Sequence, residues 1–399
     1  MYSEVCRKYQ IHPVSSFNHE NQTVFLRVDF NVPINENFSI VDDSRVIAAG
    51  ETIELLLKKK SKVIIVSHLG DPKEDKDRAS FKEVIKQMEE ILKCKIHLIS
   101  KLNLDEIASE VMNFIPRERE ILMLDNIRFF PEEKSNNKDF ASNFIQKLKV
   151  DSYVNDAFPV CHRAHASVVA IPELVKDKYA GFALLNELNA LEEKLSSLTE
   201  TSVVTAIIGG KKVSTKIMLL QRLAERIKNI IIVGGMANTF LKASGVDIGD
   251  SFYESEMVGT ASEIMRKCNV VAPIDIVCKT STDEVKEIVV GNPIEGSICD
   301  IGLRTNHLID KIIKESDVVV WNGPAGIYED KRFMRGSEEI AKSLAASDCV
   351  SVIGGGDTAA VVKDLRSKID HISNGGGAFI AWLEGSHMPG IESLQIKNN

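Results

Sequence analysis

Several common protein classes are excluded by what this chain lacks. Its seven cysteines (Cys6, Cys94, Cys161, Cys268, Cys278, Cys299 and Cys349) are odd in number and scattered. None stands in a C-x-x-C pair, so neither a disulfide framework nor a zinc site is indicated. No run approaches the roughly 18 apolar residues of a membrane span, and the first residues, MYSEVCRKYQIHPV, lack the apolar centre of a signal peptide. A reducing, cytoplasmic setting with no membrane partner is the expectation. Basic residues are not in excess: 49 Lys and Arg face 57 Asp and Glu, a formal charge of −8. That balance argues against a general nucleic-acid binder but leaves room for a local basic patch that collects an anionic small molecule. There is no repeat of solenoid period, no low-complexity tract and no Gly/Pro-rich linker. The Walker A pattern G-x-x-x-x-G-K-[ST] is absent too.

What remains is a chain of 399 residues with 44% hydrophobic content, enough for two or three domains of ordinary size. Apolar, β-branched runs alternate with helix-period segments. Strands are expected at 23–28, 62–67, 121–124, 152–155, 203–208, 229–233, 318–321 and 350–353. Near-continuous Val/Ile runs between helices imply parallel sheets covered on both faces, an α/β class, and the spacing suggests two of them. Between them, residues 181–198 carry leucines at 184, 185, 188, 191, 195 and 198, the pattern of a stiff amphipathic helix. The run of lysines at 58–60 reads as a solvated, dipole-complementing helix end.

The chain is organised around CVSVIGGGDTAAVVKDL, residues 349–365. A buried strand runs into Gly354, Gly355 and Gly356, and a helix follows from about Thr358. Bare peptide N–H groups at a helix start suit a phosphate, and Asp357 is placed to hold a cation riding on it. IIGGKKVSTK (207–216) follows another strand, with Lys212 and Lys216 expected four apart on one helical face. Lysines at a helix start oppose its dipole unless a polyphosphate compensates them. VWNGPAGIYE (320–329) is a strand ending in a Gly/Pro turn, with Glu329 free to reach a ribose hydroxyl. ISNGGGA (372–378) is a second triple-glycine turn before a helix.

The first half carries arginines instead. In RVDFNVP, residues 27, 29 and 31 would share one strand face, and Arg45, His68, Arg128 and Arg163 each fall just after a strand or at a helix start. Repeated returns to the same end of a sheet read as an anion site built from Arg27, Arg45, Arg128, Arg163 and His68.

Taken in order, RVDFNVP, SHLG, DNIRFFPEE, YVNDAF, HRAHAS, GGKKVSTK, GGMANTFLKA, DIGLRT, WNGPAGIYE, GGGDTAA, ISNGGGA and LEGSHMPG resemble the phosphoglycerate kinase family across residues 24–395. The resemblance implies two Rossmann-like domains. The first (1–180, with the tail 385–399 packed back on it) would bind 3-phosphoglycerate or 1,3-bisphosphoglycerate. Then come a hinge helix (181–198) and a second domain (199–384) that binds Mg2+ with ADP or ATP. A monomer is the usual state. Carried over by position, Asp29, Asn31, Arg45, His68, Arg128 and Arg163 match the acid-substrate site. Lys212, Lys216, Gly235, Asn322, Glu329, Asp357 and Thr358 match the nucleotide site, with Asp357 as the metal carboxylate. Gly210, Pro324 and the triplet Gly354–Gly356 complete the expected nucleotide turns. Gly355–Gly356 and Gly376–Gly377 match helix starts said to stabilise the moving phosphoryl group, with Arg45 and Lys212 reaching it from either domain when the cleft closes.

The chain departs from the family pattern in places. SHLGDP puts Asp71 where an arginine is usual, with Lys73 as a nearby compensating charge, and Thr215 replaces an acid. Val233, Asn374 and Pro159-Val160-Cys161 replace a glycine, a threonine and Gly-Thr-Ala. Asp71 and Thr215 motivate one alternative, a non-catalytic nucleotide-binding relative. A second, a nicotinamide-dependent oxidoreductase, rests on Gly354-x-Gly356-x-x-Ala359 but lacks the acidic residue about 20 positions on that this fingerprint wants.

Overall fold

The computed structural model describes residues 2–18, 20–73, 79–196, 201–225, 227 and 229–396. The chain divides into two compact units, Met1–Glu192 with Ser386–Asn399, and Glu193–Gly385. Each is built on a parallel six-stranded sheet.

In the first unit the strands are β1 (Thr23–Arg27), β2 (Lys62–Val66), β3 (Lys95–Ile99), β4 (Glu120–Leu124), β5 (Ser152–Asn155) and β6 (Asp177–Ala180), in spatial order β3-β4-β2-β1-β5-β6. Neighbours pair in parallel, with Thr23 opposite Lys62 and Val24 opposite Ser152. Helices cover both faces because both faces are apolar. Val24 and Leu26 enter one core with Val63, Ile65 and Met88, while Phe25, one position out of phase, stacks on Tyr153 and meets Phe144 edge-on. Asn103 and Asn137 cap helices Leu104–Asn113 and Lys138–Leu148 by accepting from first-turn N–H groups. The C-terminal segment is stitched to this unit. Gly390 N–H donates to Cys161 O, Asn155 Nδ2 to Gly390 O and Ser393 Oγ to Val168 O. Residues 397–399 of the expected tail lie outside the described residues.

The second unit has β7 (Val204–Ile208), β8 (Asn229–Ile232), β9 (Asn269–Val271), β10 (Asp275–Lys279), β11 (Val285–Val289), β12 (Ser297–Ile301), β13 (Val318–Asn322), β14 (Val350–Gly354) and β15 (His371–Ser373). Its parallel sheet runs β15-β14-β13-β7-β8-β9, and β11-β10-β12 form a separate antiparallel sheet. Alternation again buries both faces: Ile207, Val319, Trp321 and Ile353 on one side, Ala206, Ile208, Ile230 and Ile232 on the other.

The helix expected at 181–198 spans Phe182–Ser196 and crosses the division between the units. Leu184, Leu185, Leu188 and Leu191 are fully buried; Leu198 and the Leu195 side chain lie outside the described residues. No helix among the described residues is long and apolar enough to cross a membrane.

The eight expected strands are all present, and all are interior to their sheets. The four that were missed in the parallel sheets, β3, β6, β9 and β15, are the four edges. An edge strand pairs on one side only and tolerates polar residues such as His97, Lys178 and Asn269, which break the Val/Ile signal.

Candidate active site

The arginines of the first unit converge. Strand β1 ends at Arg27, one residue short of expectation, so Asp29 and Asn31 lie on the loop beyond it and not on a shared strand face. That loop is fixed by its own polar groups. Arg45, in the first turn of helix Ser44–Lys58, donates from Nη1 to Asp29 Oδ2 (2.6 Å) and to Asn31 O (3.1 Å). Asn31 Oδ1 accepts from Gly70 N–H (2.8 Å) on the loop after β2. Arg128, in the turn after β4, donates to Gly70 O (2.9 Å).

His68 sits in the middle of this set and is buried. Burial, and then the charges of Arg27, Arg128, Arg163 and Arg45, hold its pKa well below the usual imidazole range. Arg27 Nη2 lies 3.3 Å from its Nδ1. A guanidinium only donates, so Nδ1 accepts and the proton of the neutral ring is assigned to Nε2. His162 and His165 are pushed down to about 4 and about 3 by burial first and by the neighbouring arginines next. The histidines therefore add donors and no charge. Burial and the repulsion of Arg163 and Arg27 also bring Arg128 down to about 10. A cluster whose members raise one another's energy in this way is relieved by an anion.

Arg27 itself is corrected. It is 1% exposed, and its nitrogens are engaged by Ser167 Oγ, Val28 O and His68. Ser167 is held in turn by buried Glu133 through its N–H (2.8 Å) and hydroxyl (2.6 Å). Arg27 thus orients His68 and lends the cluster its field instead of meeting a ligand. Asp71 is an ion-pair partner of Lys134, whose ammonium lowers its pKa before any other cause. Lys73 contributes only its backbone N–H (3.2 Å), so the compensation expected from its side chain comes from Lys134.

In the second unit the C-terminal ends of β7, β8, β13 and β14 meet at glycine turns. Gly209 and Gly323 pass so closely that a Cβ on Gly323 would come 2.4 Å from Gly209 O, and Gly323 has φ 98°. Lys212 and Lys216 do not share a helical face. The helix begins only at Ile217, and residues 210–216 form a loop pinned by Ser214, whose N–H donates to Glu254 (3.0 Å), and by the fully buried Val213. Lys212 is exposed on that loop. Lys216 folds underneath it, donating to Gly209 O (2.6 Å), Asn322 O (2.9 Å) and Asn322 Oδ1 (2.5 Å). Burial pushes its pKa down to about 8, and Asp357 opposes the shift.

Asn322 and Thr358 are buried ties between strand ends: Asn322 Nδ2 donates to Gly354 O (2.8 Å), and Thr358 Oγ1 accepts from Gly323 N–H (2.7 Å). Gly354 ends β14 and packs on Phe379, where a Cβ would come 2.2 Å from the ring. Gly355 (φ 94°) and Gly376 (φ 50°) precede helices Gly356–Val361 and Gly377–Leu383, neither with a side-chain cap. A Cβ at Gly356 or Gly376 would meet nothing within 4 Å, so the space before these N–H groups is open. Asp357 is exposed in the first turn and accepts from the Tyr328 hydroxyl (3.0 Å).

A cavity of about 590 Å³ adjoins these turns. Gly210, Gly235, Pro324, Glu329 and Asp357 line it, as the sequence had suggested. Lys212, Lys216, Asn322, Gly354, Gly355, Gly356 and Thr358 are not among its walls. Lys211, Asn238, Phe252 and the antiparallel strand β12 complete it, and none of these was foreseen. Lys211 lies over the Phe252 ring, 5.6 Å from its centre. Only the doubling of lysine in GGKKVSTK had marked that position.

No group of three or more His, Cys, Asp or Glu side chains suited to a metal occurs among the described residues. A magnesium ion carried on nucleotide phosphates needs only a carboxylate or two from the protein, and the exposed Asp357 fits that demand.

The sequence profile described as phosphoglycerate kinase matches residues 14–386. Relatives named phosphoglycerate kinase include that of Pelobacter propionicus, 36% identical over 95% of this chain and 96% of its own length. That of Anaeromyxobacter sp. is 38% identical over 93% and 96%. Among solved structures, the phosphoglycerate kinase of Coxiella burnetii superposes with a TM-score of 0.80 at 32% identity, covering 96% of this chain and 98% of the other. That of Pyrococcus horikoshii does so with 0.83 at 28%, with the same coverage. Nothing in these matches favours the nicotinamide-dependent or the non-catalytic reading. The chain belongs to the phosphoglycerate kinase family.

Proposed function

We infer that this chain transfers a phosphoryl group reversibly between 1,3-bisphosphoglycerate and ADP, giving 3-phosphoglycerate and ATP. The observation that carries the reading is the set of arginines, from four separate segments of the chain, whose charge bears on one buried neutral histidine. Such a set is costly unless a multiply charged anion occupies it. In this reading Arg45, Arg128 and Arg163 meet the phosphate and carboxylate of the acid substrate. Asp29 and Asn31 hold Arg45 and the Gly70 turn, and His68 offers its Nε2 proton, with Arg27 behind it.

The nucleotide takes the 590 Å³ cavity, its base against the apolar walls and its ribose toward Glu329. Asp357 would hold Mg2+ together with the phosphates, and the ion would supply charge neutralisation there. Lys212, exposed on its loop, and the N–H groups at Gly355–Gly356 and Gly376–Gly377 face the transferring group; Lys216 tightens the turn beneath it.

Phosphoryl transfer asks little covalent chemistry of a protein, so catalysis is positioning and charge stabilisation. No general base is needed, because the acceptor is already an ionised carboxylate or phosphate. This agrees with three histidines that are neutral at pH 7. Closure of the two domains on one phosphoryl group would exclude water that hydrolyses an acyl phosphate. A monomer in the cytoplasm suits this role. The test is a coupled steady-state assay with 3-phosphoglycerate and Mg-ATP both varied. Saturable turnover in both is expected, and none at millimolar substrate with ATP still bound would refute the enzyme.

A further inference from the structure

Within the first unit, a second cavity of about 640 Å³ lies at the opposite end of the sheet from the arginine cluster. Its walls come from residues just before β1, β2 and β4: Asn21, Ser61 and Arg119. The end of helix Ser44–Lys58 closes one side. Parallel sheets bind their substrates at the other end of the strands, so the known chemistry of this fold does not call for a site here.

Four cations line it, Lys58, Lys60, Arg117 and Arg119, against the carboxylates of Glu54 and Glu118. Glu54 is already committed, to Arg119 at 2.8 Å and to Lys58 at 3.6 Å. Neither Lys60 nor Arg117 has a side-chain ion-pair partner among the described residues, and both are exposed. Ser61 is 1% exposed, and its hydroxyl has no hydrogen-bond partner. Leu57, Pro116 and Ile115, the last 81% exposed, add apolar surface to the same cavity.

The backbone points the same way. Asn21, Lys60 and Arg119 all have left-handed φ, at 57°, 53° and 60°. Lys60 follows the helix end at Lys59, where glycine is the residue of lowest cost. The chain instead keeps cations at two left-handed positions that border one cavity.

We propose that this cavity is a second binding site, for a small anion with an apolar or aromatic body. Lys60 and Arg117 would pair with the anion, Ser61 would complete its hydrogen bonding, and Ile115 with Pro116 would cover the body. Lys58 and Lys60, of the run at 58–60, are then part of a binding wall and not only a solvated helix end.

Phenyl phosphate is a suitable probe, titrated by ligand-observed NMR into the full chain. Saturating 3-phosphoglycerate and Mg-ADP, a pair that cannot react together, keep both substrate sites filled. Saturable binding of phenyl phosphate is expected under these conditions. The double variant Lys60→Gly, Arg117→Ser should weaken it about tenfold or more, with turnover unchanged. Glycine suits φ at position 60, so this variant is expected to melt no lower than the parent. No binding once both substrates are present, or equal affinity in the double variant, overturns the proposal.

Discussion

Asp156 → Asn offers a test whose size follows from the structure. Asp156 lies beneath the first turn of helix Phe182–Ser196, with Oδ1 accepting from Ala183 N–H (2.7 Å) and Leu184 N–H (3.4 Å). Its Oδ2 is buried and makes no hydrogen bond of good geometry, the Thr52 hydroxyl being the polar group beside the carboxyl, and a Cβ on Gly181 would come 2.1 Å from Oδ1. Burial, with a small contribution from Glu51, raises its pKa from 3.8 to about 7. Because the folded state binds this proton more tightly than the unfolded state, the group's contribution is complete below about pH 4 and is lost as pH rises to about 7. A shift of about three units corresponds to about 4 kcal/mol, at roughly 1.4 kcal/mol per unit. Asparagine carries no charge in either state and keeps an acceptor for the helix N–H groups. The stability gap between variant and parent should therefore open in favour of the variant between about pH 4 and about pH 7, then level off. Denaturation of both proteins across that window and at about pH 8 measures it. A gap that does not change with pH would refute the assignment of a buried, readily protonated carboxyl.

Three further outcomes bear on the active site. Arg128→Ala removes a charge-assisted contact worth about 1.5–3 kcal/mol and should raise KM for 3-phosphoglycerate tenfold or more, leaving KM for Mg-ATP within about twofold. Asp71→Asn frees Lys134 and withdraws a negative charge that Arg128 feels; at about 1 kcal/mol for a partly exposed, water-screened charge, KM for 3-phosphoglycerate should fall severalfold in the same assay. Arginine at that position is a poorer test, because Lys134 would repel it. Lys216→Met removes the ammonium that ties Gly209 to Asn322 and should lower kcat/KM for Mg-ATP by about a hundredfold or more, read by steady-state kinetics with 3-phosphoglycerate saturating.

Much of the fold was legible because an interior strand of a parallel sheet must be apolar on both faces. Val204–Ile208 and Val318–Asn322 cannot be anything else without leaving a sheet face bare. The edges obey a weaker rule. In β3, KIHLI places an exposed Lys95 and a partly exposed His97 among its apolar residues, and half its backbone groups have no strand to meet. The antiparallel sheet escaped notice for a related reason. β11 is largely exposed, so Val285–Val289 carries polar residues where a buried strand would show valine or isoleucine. That omission cost more than a strand, since β12 forms a wall of the 590 Å³ cavity.

The site shows where spacing stops being informative. Lys212 and Lys216 stand four apart, and on a helix that puts two ammonium groups side by side. Here the helix waits until Ile217, because Ser214 and Glu254 hold the preceding residues in a loop. The two lysines then diverge, one to solvent and one into three oxygens of neighbouring strand ends. The same distinction separates Arg27 from Arg45. Both follow the arginine pattern of the first half, yet one has spent its donors on Ser167, Val28 and His68, and the other stands partly open beside Asp29. Charge at a strand's end locates a site in the sequence. Which charges touch the ligand and which hold the others in place depends on where each side chain's hydrogen bonds end, and those partners are as far apart in the chain as Arg27 and Ser167, or Lys216 and Asn322.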